Sequence, residues 1–391
     1  MANLLSHEST ILIIGAGTWG CSTALHLARR GYKSITVLDI HPVPSPISAG
    51  NDINKILELG SFAGNDEDEV YVSNKLLAAA TEGWLNDPVF KDYFHETGCI
   101  LAATSEDARA HMNSRDGPSE AKGWIPLKNM DDFRATMPRD VLTGDFPGWD
   151  GWWKKTGAGW VHARKSIESA AREASRLGVT FITGPGAGNV WGLIYENSDV
   201  KGAITFDGTQ HLADRTILCA GANAGRLLDM NDQLRPTAWT LAHIRMTPEE
   251  AQLYKNLPVL FNIELGFFKE PDEDNHELKI CDEHPGYCNW RPGTPNREFL
   301  ISKHPNYPSL VLGVGGSGHG FAHIPAIGGF ITDSMEDKLD EKMKNSFRWR
   351  PETVVGRNWD DLQGRYGPQG SNRVMDFQTI SGWTNICSST E

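Results

Sequence analysis

The chain has 391 residues, room for two or three domains and for a core that can enclose a large cofactor. With 37 Lys+Arg against 50 Asp+Glu the net charge is −13, and no run of five basic residues occurs. That argues against non-specific binding to nucleic acid or to an anionic membrane, which needs clustered cations.

No apolar stretch reaches the ~18 residues of a membrane span. The short run Ile11–Ile14 is cut by Gly15 and follows Glu8 instead of a basic leader, so no signal peptide is expected. The 6 cysteines are scattered and form no C-x-x-C pair. That spacing points to a reducing compartment, and away from a disulfide scaffold or a metal site.

In chain order, Thr10–Ile14 is a β-branched run that reads as a buried parallel strand. Gly15-Ala-Gly17-Thr-Trp-Gly20 follows, and Ser22–Arg30 has apolar residues at helical spacing before Gly31. A second strand, Ser34–Leu38, ends at Asp39. In this setting each glycine has a mechanical task. Gly15 makes the tight turn, Gly17 admits a pyrophosphate, and Gly20 lets helix and strand pack closely. The helix N-terminus offers N–H groups to the phosphates, and Asp39 can accept from a ribose hydroxyl. An acid there favours FAD or NAD over NADP.

Two later segments have the same character. Thr216–Cys219 reads as a strand running into Ala220-Gly221-Ala222. Leu312–Phe321 is rich in glycine and precedes a helix expected over Pro325–Met335. A helix N-terminus aimed at a flavin would stabilise negative charge on its reduced form. Three dispersed pieces of one nucleotide site suit FAD better than NAD.

Longer motifs carry a resemblance over nearly the whole chain. These are Gly15–Gly20, Ser48-Ala-Gly-Asn-Asp-Ile-Asn-Lys55, Gly157–Arg164, Leu234–His243, Lys279-Ile-Cys-Asp-Glu-His-Pro-Gly-Tyr287 and Asn372–Asp376. Together they resemble the fungal fructosyl amino acid oxidases (amadoriases), FAD-dependent amine oxidases related to monomeric sarcosine oxidase. The resemblance implies an α/β fold. A discontinuous Rossmann-like FAD-binding domain (8–60, 155–235, 304–335) would join an α+β substrate domain with a mostly antiparallel sheet (61–154, 236–303, 336–391). It implies oxidation of the C–N bond of a secondary amine, giving glucosone, a free amino acid and hydrogen peroxide. The expected partners are a small-molecule substrate and O2, and the expected state is a monomer.

Position by position, the resemblance puts Lys55 near the flavin and Lys279 over it, where a cation helps O2 react. It puts Glu283 against the sugar and Arg365 against the substrate carboxylate. Strand alternation would bring Lys279, Cys281 and Glu283 to one face. Cofactor contacts are expected from Gly15, Gly17, Trp19, Gly20, Asp39, Ser48, Lys55, Ala220, Gly221, Gly316, Gly318 and His319. A base that deprotonates the amine would suit this chemistry, and His243 and His319 are the histidines to consider, but a lone histidine is more often structural and neither is assigned as an essential base. The acidic stretches Asp66–Glu69 and Glu270–Glu277 read as solvated loops.

The chain departs from the family pattern at three points. Between Tyr287 and Thr294-Pro-Asn-Arg-Glu-Phe299 it has only Cys288–Gly293, where the family carries a longer segment ending in Cys-Trp-Cys. Counting back from Thr294 puts Asn289 where the family's flavin-linking cysteine stands. Cys288 is one step away, and one step turns a strand side chain to the other face. Non-covalent FAD is therefore expected. Ala322 replaces a lysine that helps bind the substrate carboxylate, and His319 or His323 would supply that charge only when protonated. The chain ends Ser388-Ser-Thr-Glu391 without a peroxisomal tripeptide, so a cytoplasmic location is expected. Two other readings stay open: an oxidase of an N-substituted or cyclic amino acid, and a flavin-binding relative without catalysis.

Overall fold

The computed structural model describes residues 5–63, 66–113, 117–139, 141, 143–294 and 296–357, with only the backbone for 237–240, 267 and 282–293. Arg365 and Asn372–Asp376 lie outside the described residues, and so does the side chain of Glu283.

Six strands form the main sheet, in the order Leu300–His304, Tyr307–Val314, Arg215–Leu218, Thr10–Ile14, Ser34–Asp39, Thr180–Thr183. All its pairings are parallel except that of the Leu300–His304 edge. The central strand is buried on both faces, which is why its sequence is apolar without a break. Ile11 and Ile13 pack into one core with the helices Thr18–Arg29, Ala163–Arg176 and Ile324–Met335. Leu12 and Ile14 pack into a second core under the three-stranded sheet Val190–Glu196, Asp199–Thr205, Gln210–Leu212.

A mixed sheet of seven strands forms the other layer. Its order is Arg235–Arg245, Glu277–Gly293, Gly266–Phe268, Val259–Asn262, Cys99–Ala103, Asp150–Lys154, Trp124–Leu127. One pair, Val259–Asn262 with Cys99–Ala103, is parallel and the rest are antiparallel. A small sheet adds Lys55–Glu58, Ala158–Val161 and Phe94–His95, with Trp160 fully buried in it. This is the expected combination of a Rossmann-like, mostly parallel sheet and a mostly antiparallel one, with helices against one face of the first and the three-stranded sheet against the other. No helix among the described residues is long and apolar enough to cross a membrane.

Two expectations need correction. The first helix starts at Thr18, not Ser22, with Gly17 as its N-cap, so Gly20 lies inside its first turn. Of the acidic stretches, Asp66–Glu69 is exposed as expected but starts a helix instead of forming a loop, and Glu270–Glu277 is partly buried. Asp66 caps the helix Glu67–Asn86, accepting from the N–H groups of Asp68 and Glu69. Glu270 and Asp272 are buried, where they accept from Trp160 Nε1 at 2.8 Å and pair with His162 Nε2 at 3.0 Å.

Candidate active site

The glycine loop is built by close backbone approach. Gly15 has φ +103°, a conformation only glycine adopts without strain, and a Cβ there would come 2.5 Å from the Cys219 carbonyl. A Cβ at Gly20 would overlap the Gly15 carbonyl itself. No side chain caps the helix at Gly17, so its first N–H groups face the loop. Asp39 braces this turn, its carboxylate accepting from Ala16 N at 2.7 Å and His41 N at 3.0 Å. Burial raises the Asp39 pKa, and those two backbone bonds oppose it.

The dispersed segments converge on this loop. A Cβ on Gly15 would lie 3.0 Å from Ala220 Cα, and Gly221 follows with φ +55°. Ser48 Oγ lies 3.3 Å from where a Gly17 Cβ would be. Trp19 donates from Nε1 to the Gly320 carbonyl at 3.1 Å, which ties the late glycine segment to the first helix. Gly316 packs near the same ring, and Gly318 has φ +86°. An uncapped helix start, a cradle that excludes Cβ atoms and a braced acid at the end of the second strand together fit a dinucleotide.

Next to the loop lies a basic cluster. The Ser48–Lys55 segment ends in Asp52, Asn54 and Lys55, and the Glu277–Gly293 strand brings in Lys279. Lys279 Nζ donates to Asp52 Oδ2 at 2.5 Å and to the Asn54 carbonyl at 3.2 Å. Lys55 also binds Asp52 Oδ2. Burial opposes charge on Asp52, but Lys55 and Lys279 outweigh it and hold the carboxyl well below its usual range. Lys279 and Cys281 are both buried while Ile280 between them is exposed, so the expected alternation holds for these residues.

Asp52 and Lys269 are the site residues that sequence reading missed. Lys269 is fully buried and donates from Nζ to Asn54 Oδ1 at 3.0 Å.

The remaining candidates divide. His243 sits beside the cluster, with Nδ1 3.2 Å from Glu277 Oε2 and Nε2 4.0 Å from Asp52 Oδ1. His319 is exposed and stacks on Phe299 at 4.9 Å. Ala322 packs on the main core, and its carbonyl accepts from Trp84 Nε1 at 2.7 Å. His323 is buried, and burial lowers its pKa to about 3, so it is neutral and does not supply the charge of an absent lysine. Away from this site, ligand-type atoms of His162, Asp272 and Asp274 lie within 4.8 Å of one another. A cation is already in place there, since Lys165 pairs with Asp274 at 2.7 Å.

Comparison with known proteins agrees with this geometry. Residues 10–286 match the family described as DAO, FAD dependent oxidoreductase. The chain is 50% identical to fructosyl amine:oxygen oxidoreductase (Amadoriase I) of Aspergillus fumigatus, whose crystal structure matches with a TM-score of 0.92 over 100% of both chains. The fructosamine oxidase Amadoriase II of the same species, in complex with FSA, is 48% identical with a TM-score of 0.91 over 98% of each chain. L-saccharopine oxidase of Schizosaccharomyces pombe is 26% identical over 87% of this chain and 93% of its own length.

Proposed function

Since the chain belongs to the FAD-dependent oxidoreductases and, among them, to the fructosyl amine oxidases, we propose that it oxidises N-fructosyl amino acids to glucosone, the free amino acid and hydrogen peroxide. FAD, when bound, accepts a hydride from the carbon beside the amine and passes both electrons to O2. The resulting imine takes up water and releases the amino acid.

The chain's own residues have defined tasks in this reading. Gly15, Gly17 and Gly20 give the backbone clearance for a pyrophosphate, with Ser48, Ala220, Gly221 and Gly316 closing around it. Lys279 holds a positive charge in a dry site, where it stabilises the negative charge that develops as O2 takes electrons. Asp52 orients the Lys279 amine and shares the same carboxylate oxygen with Lys55. Glu283 and Arg365 are proposed to hold the sugar and the carboxylate of the substrate. The FAD is proposed to be non-covalent, because Asn289 has no nucleophilic sulfur to form the link. The protein is proposed to act as a monomer. The domain division is proposed as 8–60, 155–235, 304–335 against 61–154, 236–303, 336–391; the separate six-stranded and seven-stranded sheets support it, while the edge strand Leu300–His304 of the six-stranded sheet crosses its boundary.

One observation carries the reading: the segment whose Ser48 lies against Gly17 of the dinucleotide loop also supplies Asp52, the buried ion-pair partner of Lys279. The test is the visible spectrum before and after anaerobic addition of N-fructosyl-glycine. Bands near ~450 nm that bleach are expected of a flavin reduced by its substrate. Bands that persist would retire this substrate. Acid precipitation should leave the flavin in the supernatant; yellow pellets would show a covalent bond.

A second reading has one observation in its favour. With Ala322 packed on the core and His323 neutral, that corner offers no cation from these two positions. An oxidase of another N-substituted or cyclic amino acid fits such a corner. Turnover of N-methyl or cyclic amino acids without turnover of fructosyl compounds would establish it.

A further inference from the structure

The helix Ile324–Met335 packs on two neighbours and leaves a third face open. A Cβ at Gly328 would overlap the Ser22 carbonyl, so this residue seats the helix against Thr18–Arg29. A Cβ at Gly83, in the helix Glu67–Asn86, would overlap Pro325. Ala326, Gly329, Phe330 and Asp333 recur at helical spacing and share the face between those two contacts. Ala326 and Gly329 are too small to fill the space between the flanking helices. A groove of about 490 Å³ is left there, with this face as its floor. That volume suits a small molecule.

The polar groups of the groove are acceptors. His26, on the first helix, has Nε2 2.8 Å from the Pro325 carbonyl. A carbonyl can only accept, so Nε2 carries the proton of this ring. Burial, with Arg29 and Arg30, lowers the His26 pKa against the Pro325 bond and Asp87, and the ring stays neutral. Nδ1 is then a bare lone pair. It lies 3.3 Å from where a Gly329 Cβ would be, and it has no hydrogen-bond partner among the described residues.

The charges have the same bias. Glu82, Asp87 and Asp333 stand in the lining against one arginine, Arg30. Arg30 is already engaged by Asp333 Oδ1 at 2.7 Å, Glu336 Oε2 at 2.9 Å and the Gly329 carbonyl at 3.1 Å. Arg29 takes both oxygens of Asp87. Among the described residues, the Glu82 carboxylate and Asp333 Oδ2 have no partner.

We propose that this groove binds a primary organic ammonium with a short apolar tail. An ammonium brings three N–H donors and a positive charge. The groove answers with lone pairs at His26, Glu82 and Asp333, and its floor of Ala326, Gly329 and Phe330 takes the tail. A carboxylate ligand would meet two open acids and, as a cation, only an arginine that already serves two others. None of these side chains belongs to the dinucleotide loop or to the Lys279 cluster, so the site is read by binding, without turnover.

Calorimetric titration of the holoenzyme with benzylammonium tests this. Saturable binding is expected. Benzyl alcohol should bind about tenfold more weakly or worse, the loss when a charge-assisted bond becomes a neutral one. Glu82→Gln, at an exposed side chain, should weaken benzylammonium by about tenfold. Gly329→Ala sets a methyl against His26 Nδ1 and should weaken it as well, with flavin content unchanged. Equal binding to the wild type and to both variants would place the cation elsewhere, the substrate site included, and overturn the proposal. So would a lack of saturable binding in the millimolar range, or benzyl alcohol binding as tightly as the cation. Should Gly329→Ala fail to fold, Glu82→Gln decides alone.

Discussion

Asp52 and Lys279 form an ion pair at 2.5 Å in which neither side chain is more than 2% exposed. A pair this dry is costly to break from one side, because the remaining charge stays buried. Asp52→Asn keeps the shape and removes the charge. It should lower stability by about 3–5 kcal/mol, as read by chemical denaturation. The sign of the pH dependence follows from the lowered pKa of Asp52 in the folded state. The stabilisation is present above the unfolded carboxyl value of about 3.9 and is lost as pH falls through the folded value. The gap between wild type and Asp52→Asn should therefore close only in strong acid.

Lys279→Met should separate the two halves of the reaction. Hydride uptake from the amine should remain, while reoxidation by O2 should slow by about 100-fold or more, the effect of removing one preorganised charge-stabilising donor. Stopped-flow absorbance with each half-reaction run alone checks this. Equal losses in both halves would remove Lys279 from its proposed task.

Gly20→Ala should cost the cofactor. Its new Cβ would overlap the Gly15 carbonyl, so the helix must move off the loop. The expected product is a folded protein that has lost the flavin bands, checked by the ratio of visible to near-ultraviolet absorbance. Retention of full flavin content would show that the loop tolerates a shift of its first turn.

Lys269→Met should stabilise the protein near neutral pH. With its folded pKa lowered, the unfolded chain holds a proton that the folded chain does not. Wild-type stability therefore rises with pH, by about 1.4 kcal/mol per unit, between the folded value and the ordinary lysine value near 10.4. The variant lacks that slope. Denaturation at a series of pH values should show its advantage growing as the medium is made less alkaline.

Some of this site was legible because its signals are local. Gly15, Gly17, Gly20 and Asp39 fall within one strand–turn–helix–strand unit that folds as read, and Lys55 and Lys279 stand in long motifs. Asp52 and Lys269 were not legible, since what sets them apart is burial. In the chain, Asp52 looks like one more loop acid and Lys269 like a break after two phenylalanines. Their meaning comes from the register Phe268–Ile280 and from the fold of Ser48–Lys55, which no short window contains. The same holds for Glu270 and Asp272, whose acidic neighbours gave the look of a solvated loop while Trp160 and His162 draw them inside. The first turn of the helix at Thr18 was missed because Thr-Trp-Gly carries no apolar periodicity of its own.

The hydrogen bond from Trp19 to Gly320 spans 301 residues of sequence. Between them in the sheet stands Arg215–Leu218, which pairs with the first strand on one side and with Tyr307–Val314 on the other. Parallel pairings over such separations close large loops and are slow to form. The ribosome therefore delivers the opening glycines long before their partners exist. A polypeptide stopped short of Gly320 holds only part of the cradle, so loading of the dinucleotide is expected late in the life of the nascent chain.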